Sequence, residues 1–369
     1  MKNNLKNIIV TMTFVVFIAF FAVMCVVSYF NPVEISESER RPLAQFPDEI
    51  TWEGIVDKTV IDEFEDYSID QFPFREFFRT VKAHFALNVL NLKENNGLAV
   101  EDGYIAKIED EYTDELVDYS IGRLQYIFEQ YLAGADDVYV SLVPDKNYFF
   151  ADEYNYIAPD YASLIEKLKT SLPEAEYIDI FEALELEDYY RTDTHWSQDK
   201  LDGVVAVLAD KLGIADRLVS EYEEKVLDGP FYGVYYGQSA LRPTPDTITY
   251  LTNDILESCT VFDYETNKTY GIYNFEAFEG KDGYDFFLSG TRALLRIDNP
   301  NATTDEELIL FRDSYGSSLA PLLAEGYKSI YVVDIRYVAP QILGNFIEFE
   351  GRDVLFMYSP MILNQKAFK

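Results

Sequence analysis

The sequence predicts a three-layer α/β domain with a parallel central sheet, carried behind one membrane-spanning helix and interrupted by a β-rich insertion. Three observations support this. Short apolar runs alternate with stretches of helical periodicity, the pattern of a sheet covered on both faces. That alternation lapses from about residue 215 to 300, where Gly and Tyr are frequent and Thr247-Ile248-Thr249-Tyr250 alternates with period two. Finally, Ile8 to Phe30 contains no charged residue, and a helix of that length crosses a hydrocarbon core of ~30 Å.

The anchor sets the orientation. Lys2 and Lys6 precede it, whereas Glu34, Glu37 and Glu39 follow it. A basic flank stays cytoplasmic, so the bulk of the chain is expected outside. Met24-Cys25-Val26-Val27 lacks the small residues of a signal-peptide cleavage site, which favours an uncleaved, single-pass anchor in the cell membrane. The expected organisation is a cytoplasmic tip at 1–7, the anchor at 8–30, a tether at 31–60 and an extracytoplasmic domain at 61–369. The tether reading rests on three prolines among Glu, Ser and Arg between Asn31 and Pro47.

Within the domain, Glu63 to Leu90 reads as helical, with Phe64, Tyr67, Phe77, Phe78, Val81 and Phe85 at spacings near three to four and an interruption at Pro73. Glu115 to Leu132 is a second helix. Val138 to Val143, closed by Pro144, has the composition of a buried strand. A helix at Tyr161 to Leu172, a strand at Tyr177 to Ile180 and a helix at Ser197 to Leu212, with Ser197 as N-cap, follow. Beyond the insertion come a strand at Glu307 to Phe311, a helix at Ser317 to Ala324 and a strand at Ile330 to Val333. The last elements are a helix at Ala339 to Phe349 and a strand at Val354 to Met357.

Composition narrows the function. The chain has 369 residues, 48% of them apolar and 16% aromatic, so it builds a core and is not disordered. Its formal net charge of −35 repels phosphodiester backbones, which excludes nucleic acid as a partner. Of its two cysteines, Cys25 lies in the anchor and Cys259 far from it, so no intramolecular disulfide is expected. With only His84 and His195 as imidazoles, a multi-histidine metal centre is excluded; the many carboxylates leave a Ca²⁺ or Mg²⁺ site open, but no spaced loop motif supports one, and no cofactor is expected.

Two short motifs remain as carriers of chemistry. In Arg191-Thr192-Asp193-Thr194-His195-Trp196, positions 193 and 195 point the same way if the segment is extended. A carboxylate on one imidazole nitrogen fixes the tautomer and frees the other as a base. In Phe311-Arg312-Asp313-Ser314-Tyr315-Gly316-Ser317, a serine stands between an apolar strand and a helix, at the carboxyl edge of the sheet. The helix N-terminus there offers N–H groups to an oxyanion. Each motif alone reads equally as helix capping. Together they supply nucleophile, base and orienting carboxylate for acyl transfer. Lys146 and Arg336 are expected at the same sheet edge, where they would bind an anionic sugar or the oxyanion, or pair with neighbouring carboxylates. Tyr315 and Trp196 are placed to line a sugar site, with core packing the alternative for Trp196. Phe231 to Gly237 reads as an aromatic loop over a cleft.

Asp193-Thr194-His195-Trp196 resembles the signature of the DHHW proteins, with Thr where the family's name has its first His. It also resembles the SGNH-hydrolase-like domain of the proteins that O-acetylate alginate and related polysaccharides. Asp70-Gln71-Phe72-Pro73-Phe74-Arg75, Val143-Pro144-Asp145-Lys146 and Arg312-Asp313-Ser314-Tyr315-Gly316 are further shared pieces. The resemblance runs from about residue 40 to the C-terminus and implies Ser314 as nucleophile, His195 as base and Asp193 as orienter. The Gly and Asn blocks that complete the oxyanion hole of SGNH hydrolases are not recognisable here. What the resemblance implies is an acyltransferase that adds acetyl groups to a cell-envelope or secreted polysaccharide, with a membrane-bound protein delivering the acyl group. A deacetylating esterase of the same fold, or a non-catalytic carbohydrate-binding scaffold, are the alternatives.

Overall fold

A computed structural model describes residues 2–218 and 221–369. The chain divides into two compact units. The first comprises the chain up to Asn95 together with Gly237–Arg242; the second comprises Asn96–Tyr236 and Pro243–Lys369.

The first unit begins with helix α1 (Lys2–Phe30). Its Leu5–Phe30 stretch has a mean hydropathy of 2.8 and is long and apolar enough to cross a membrane. Where an extended tether is expected, the chain makes a strand pair at Ile35–Ser36 and Arg41–Pro42 and a short helix at Trp52–Val56. The expected Glu63–Leu90 helix is two: α2 (Thr59–Asp70) and α3 (Arg75–His84), the latter running into a π-helical turn at Phe85–Val89. The break falls at Pro73, as proline's missing N–H and ring clash require.

The second unit is built on an eight-stranded sheet. In chain order its strands are β1 (Val138–Leu142), β2 (Glu176–Tyr177), β3 (Thr260–Asp263), β4 (Lys268–Gly271), β5 (Leu294–Asp298), β6 (Glu307–Arg312), β7 (Ser329–Val333) and β8 (Asp353–Tyr358). They lie side by side as β4-β3-β5-β7-β6-β8-β1-β2. The run from β7 to β2 is parallel, and β5, β3 and β4 extend it with antiparallel pairings. The β-rich segment is therefore not wholly separate from the core: three of its strands form one flank of the main sheet, while Glu223–Val226 and Thr249–Thr252 pair on their own.

Strand residues alternate between two packed faces. Leu308, Leu310, Val332 and Met357 pack with α7 (Asp202–Lys211) and α8 (Gly316–Leu323). Ile309, Phe311, Val333 and Phe356 pack with α4 (Asp114–Tyr131) and α6 (Tyr161–Ser171). A strand buried on both sides needs an unbroken apolar run, and Leu308-Ile309-Leu310-Phe311 supplies it. This is the three-layer α/β/α arrangement. Two expected helices are shorter than their patterns. Ser197–Leu212 opens as a 3₁₀ turn at Gln198–Lys200, and Ser197 makes no side-chain cap. Ala339–Phe349 is a 3₁₀ segment, Pro340–Asn345, that contains Gly344, a poor helix former.

Candidate active site

Ser314 occupies the turn between β6 and α8. The buried Asp313 carboxylate holds that turn: it accepts from the Tyr315 N–H (3.0 Å), the Ser359 N–H (2.7 Å) and the Ser359 hydroxyl (2.7 Å). Gly316 is needed because a Cβ there would lie 2.7 Å from Cβ of Arg312. Ser314 itself remains half-buried, with its hydroxyl reaching out of the turn.

Three cross-links bring the distant histidine to it. Trp196 is fully buried, and its Nε1–H donates to the Tyr315 carbonyl (3.2 Å) and the Ser318 hydroxyl (3.0 Å). The Tyr315 hydroxyl donates to the Thr194 carbonyl (2.9 Å). With residues 194 and 196 fastened to 315 and 318, the His195 ring meets Ser314: Nε2 lies 2.7 Å from Oγ. Its Nδ1 lies 2.5 Å from Oδ1 of Asp193. Nδ1 therefore carries the proton, and Nε2 is left to accept from the serine.

Asp193 is 1% exposed. Its Oδ1 also accepts from the His195 N–H (3.0 Å), and its Oδ2 accepts from the Val234 N–H (2.7 Å). Burial alone would push this carboxyl up. The charge and hydrogen bonds of His195 and the Val234 N–H outweigh that and hold it well below the ordinary carboxylate range. On its other side, His195 is covered by Tyr284, whose ring is stacked on the imidazole with centroids 3.8 Å apart. The Tyr284 hydroxyl donates to Ser318 (2.8 Å), so the stack is tied to α8.

The remaining expected site residues lie differently. Lys146 does not end a strand. It is the first residue of helix α5 (Lys146–Tyr154) and is 2% exposed. Its ammonium donates to the carbonyls of Ile105 (2.9 Å), Arg191 (3.3 Å) and Asp193. Burial lowers its pKa to about 7, against the pull of the Asp193 and Asp246 charges. It props the base loop from below and offers nothing to a ligand. Arg336 is tied to its neighbour, donating to both Asp334 oxygens at 2.9 and 2.6 Å. Tyr315 and Trp196 are packed inside and line no open surface. In the Phe231–Gly237 segment, Phe231 and Tyr235 are buried while Tyr232 is 47% exposed. The N–H groups expected to stabilise an oxyanion are largely spent in the turn: Tyr315 on the Asp313 carboxylate, Gly316 on the Asp313 carbonyl and Ser317 on the Ser314 carbonyl.

Sequence reasoning missed Tyr284, one of 29 tyrosines with nothing around it to single it out. It also missed Asp246, whose carboxylate fixes the base loop by accepting from the N–H groups of Arg191 (2.9 Å) and Thr192 (2.7 Å).

Residues 177–333 match the DHHW protein family. Among solved structures, a DHHW family protein from Eubacterium siraeum superposes with a TM-score of 0.59 at 23% identity, over 74% of this chain and 94% of that one. Bacillus cereus PatB1, in a structure with a sulfonyl adduct, gives 0.54 at 17% identity, over 74% of this chain and 98% of that one. At such identities these likenesses establish the fold alone. No curated protein matches the chain.

Proposed function

We propose that this protein is a membrane-anchored Ser-His-Asp acyltransferase that adds acetyl groups to a cell-envelope or secreted polysaccharide, with residues 8–30 as the anchor and the second unit outside the cytoplasm. The observation that carries the reading is the continuous line from Ser314 Oγ through the imidazole to Asp193, at 2.7 and 2.5 Å.

The chemistry runs in two halves. Ser314 Oγ attacks the acyl carbonyl while Nε2 of His195 takes its proton; the leaving group departs with that proton, and an acyl-serine remains. A glycan hydroxyl then attacks the acyl-serine and gives its proton to Nε2, which passes it to Ser314 Oγ as the Oγ–acyl bond breaks and the acylated sugar leaves. Asp193 stays ionised and holds the imidazole through both halves. The oxyanion falls to the N–H of Ser314, which the turn does not draw in. The acetyl donor must reach the outer face, so a membrane protein that hands the group across is the implied partner.

The test uses the full-length chain in detergent with an activated acetyl ester, with and without an oligosaccharide acceptor. A burst of leaving group without acceptor, abolished in Ser314→Ala, and turnover that requires the glycan are the expected results. Acceptor-independent turnover would instead make it an esterase. Wild type no faster than Ser314→Ala would leave a carbohydrate-binding scaffold.

A further inference from the structure

Helix α3 is inside out. The side it turns into the first unit carries Arg75, Arg79 and Ala83, continued by Ala86 in the π turn. The opposite side carries Phe77, Val81, Phe85 and Val89, four residues apart and 63, 47, 52 and 62% exposed. A helix on a water-soluble domain does the reverse and buries its apolar stripe.

The inner side is also unusually ionic. Arg75 pairs with Glu39 (2.5 Å) and Asp70 (3.1 Å), and Arg41 donates to both oxygens of the same Asp70 at 2.8 and 2.7 Å. Arg79 donates to the carbonyls of Gly237 (3.1 Å) and Gln238 (3.0 Å). The arginines are paired within, and the four large apolar side chains are displayed without, among the exposed Lys82, His84 and Asn88; apolar rings and polar groups side by side are what a helix at the lipid–water boundary carries.

The surface is continuous with the membrane-spanning helix. At the corner between α2 and α3, Phe74 lies 6.1 Å from Phe20 and Phe72 lies 5.7 Å from Phe21, ring centre to ring centre; Phe78, one turn on, lies 6.2 Å from Phe21. Phe20 and Phe21 precede the end of α1 at Phe30 by roughly ten residues, or ~15 Å along the helix. That is about the depth of one leaflet in a hydrocarbon core of ~30 Å.

We propose that α3, with the corner before it and the π turn after it, lies in the bilayer beside the anchor, its Phe77–Val81–Phe85–Val89 stripe against acyl chains. A second copy or another membrane protein is a rival occupant. Lipid is favoured because the contact with α1 holds the stripe within the bilayer's thickness whether or not any protein is beside it.

The experiment takes the full-length chain with Cys25→Ala and Cys259→Ala and adds one cysteine at a time: Phe77→Cys, Val81→Cys or Phe85→Cys on the stripe, and Asn267→Cys on the exposed turn after β3 as reference. Each is labelled with an environment-sensitive fluorophore and reconstituted at high lipid-to-protein ratio in phosphatidylcholine vesicles with or without brominated acyl chains. The three stripe labels should lose most of their emission to brominated lipid and little to aqueous iodide, with the Asn267 position behaving oppositely. Iodide quenching on the stripe overturns the proposal. Shielding from both quenchers overturns it as well, assigning the face to a second copy.

Discussion

The phenol ring of Tyr284 lies flat on the imidazole of His195, the two planes within 4° of each other. Such a stack fixes the ring plane and would favour the positive charge that the proposed mechanism places on the imidazole. Tyr284→Leu is therefore expected to lower kcat/KM for an activated ester by about 2- to 30-fold. Tyr284→Phe keeps the aromatic face and should retain most of the rate. It should cost about 1 kcal/mol of stability through the lost bond to Ser318, measured by denaturant unfolding.

Asp193 is held below the ordinary carboxylate range, so its sign is that of a depressed acid. The stability it contributes is fully present above the unfolded carboxyl value of ~3.9 and is lost only as pH falls through the lower folded value. Asp193→Asn should erase that contribution and place an amide against Nδ1. A drop of roughly ten-thousand-fold in kcat is expected, read in the ester assay alongside a circular dichroism spectrum that matches wild type.

Asp145 runs the other way. Burial pushes it up to about 6, opposed by the bond from the Tyr161 hydroxyl and reinforced by Glu109. A raised acid favours the folded state only while protonated, so wild type loses stability as pH climbs from about 4 to 6. Asp145→Asn has no proton to lose. It should gain on wild type across that window by roughly 2–3 kcal/mol and hold the gain above it; urea midpoints at several pH values would show the gap, and a constant difference would refute it.

Gly233 bears on the base without touching it. A Cβ there would sit 2.2 Å from the carbonyl oxygen of Thr192, a backbone atom that cannot move aside. Gly233→Ala must shift the segment that carries the Val234 N–H away from Asp193. The expected result is at least a tenfold loss of kcat with KM little changed, because an interaction that orients the base acts in the transition state.

The acceptor should not be a polyanion. The formal net charge is −35, and the two cations expected to receive an acidic sugar, Lys146 and Arg336, are both engaged by protein acceptors. Neutral oligosaccharides should outperform uronate oligomers as acceptors. Added salt should narrow the gap by screening the field.

What could be read from the sequence follows from what leaves a local trace. Asp193 and His195 two residues apart, and Ser314 at the end of a buried strand, declare themselves through spacing and through the Leu308–Phe311 run. Lys146 did not, because the strand ends at Leu142 and the chain turns before the lysine opens a helix. Tyr284 meets His195 only through tertiary packing. The periodicity of α3 was visible, yet periodicity alone does not say whether the apolar face looks toward a core or toward lipid. The flank strands β3, β4 and β5 were legible as β structure, but their membership of the main sheet depends on long-range pairing with β7.

Trp196, Tyr315 and Ser318 rivet the base loop to the first turn of the nucleophile's helix. Those cross-links couple two segments that are each held separately as well, the serine's turn by Asp313 and Ser359 and the histidine's loop by Asp246 and Lys146. Amides around 194–196 and 315–318 are therefore expected to exchange together as one opening unit, which native-state hydrogen exchange would show.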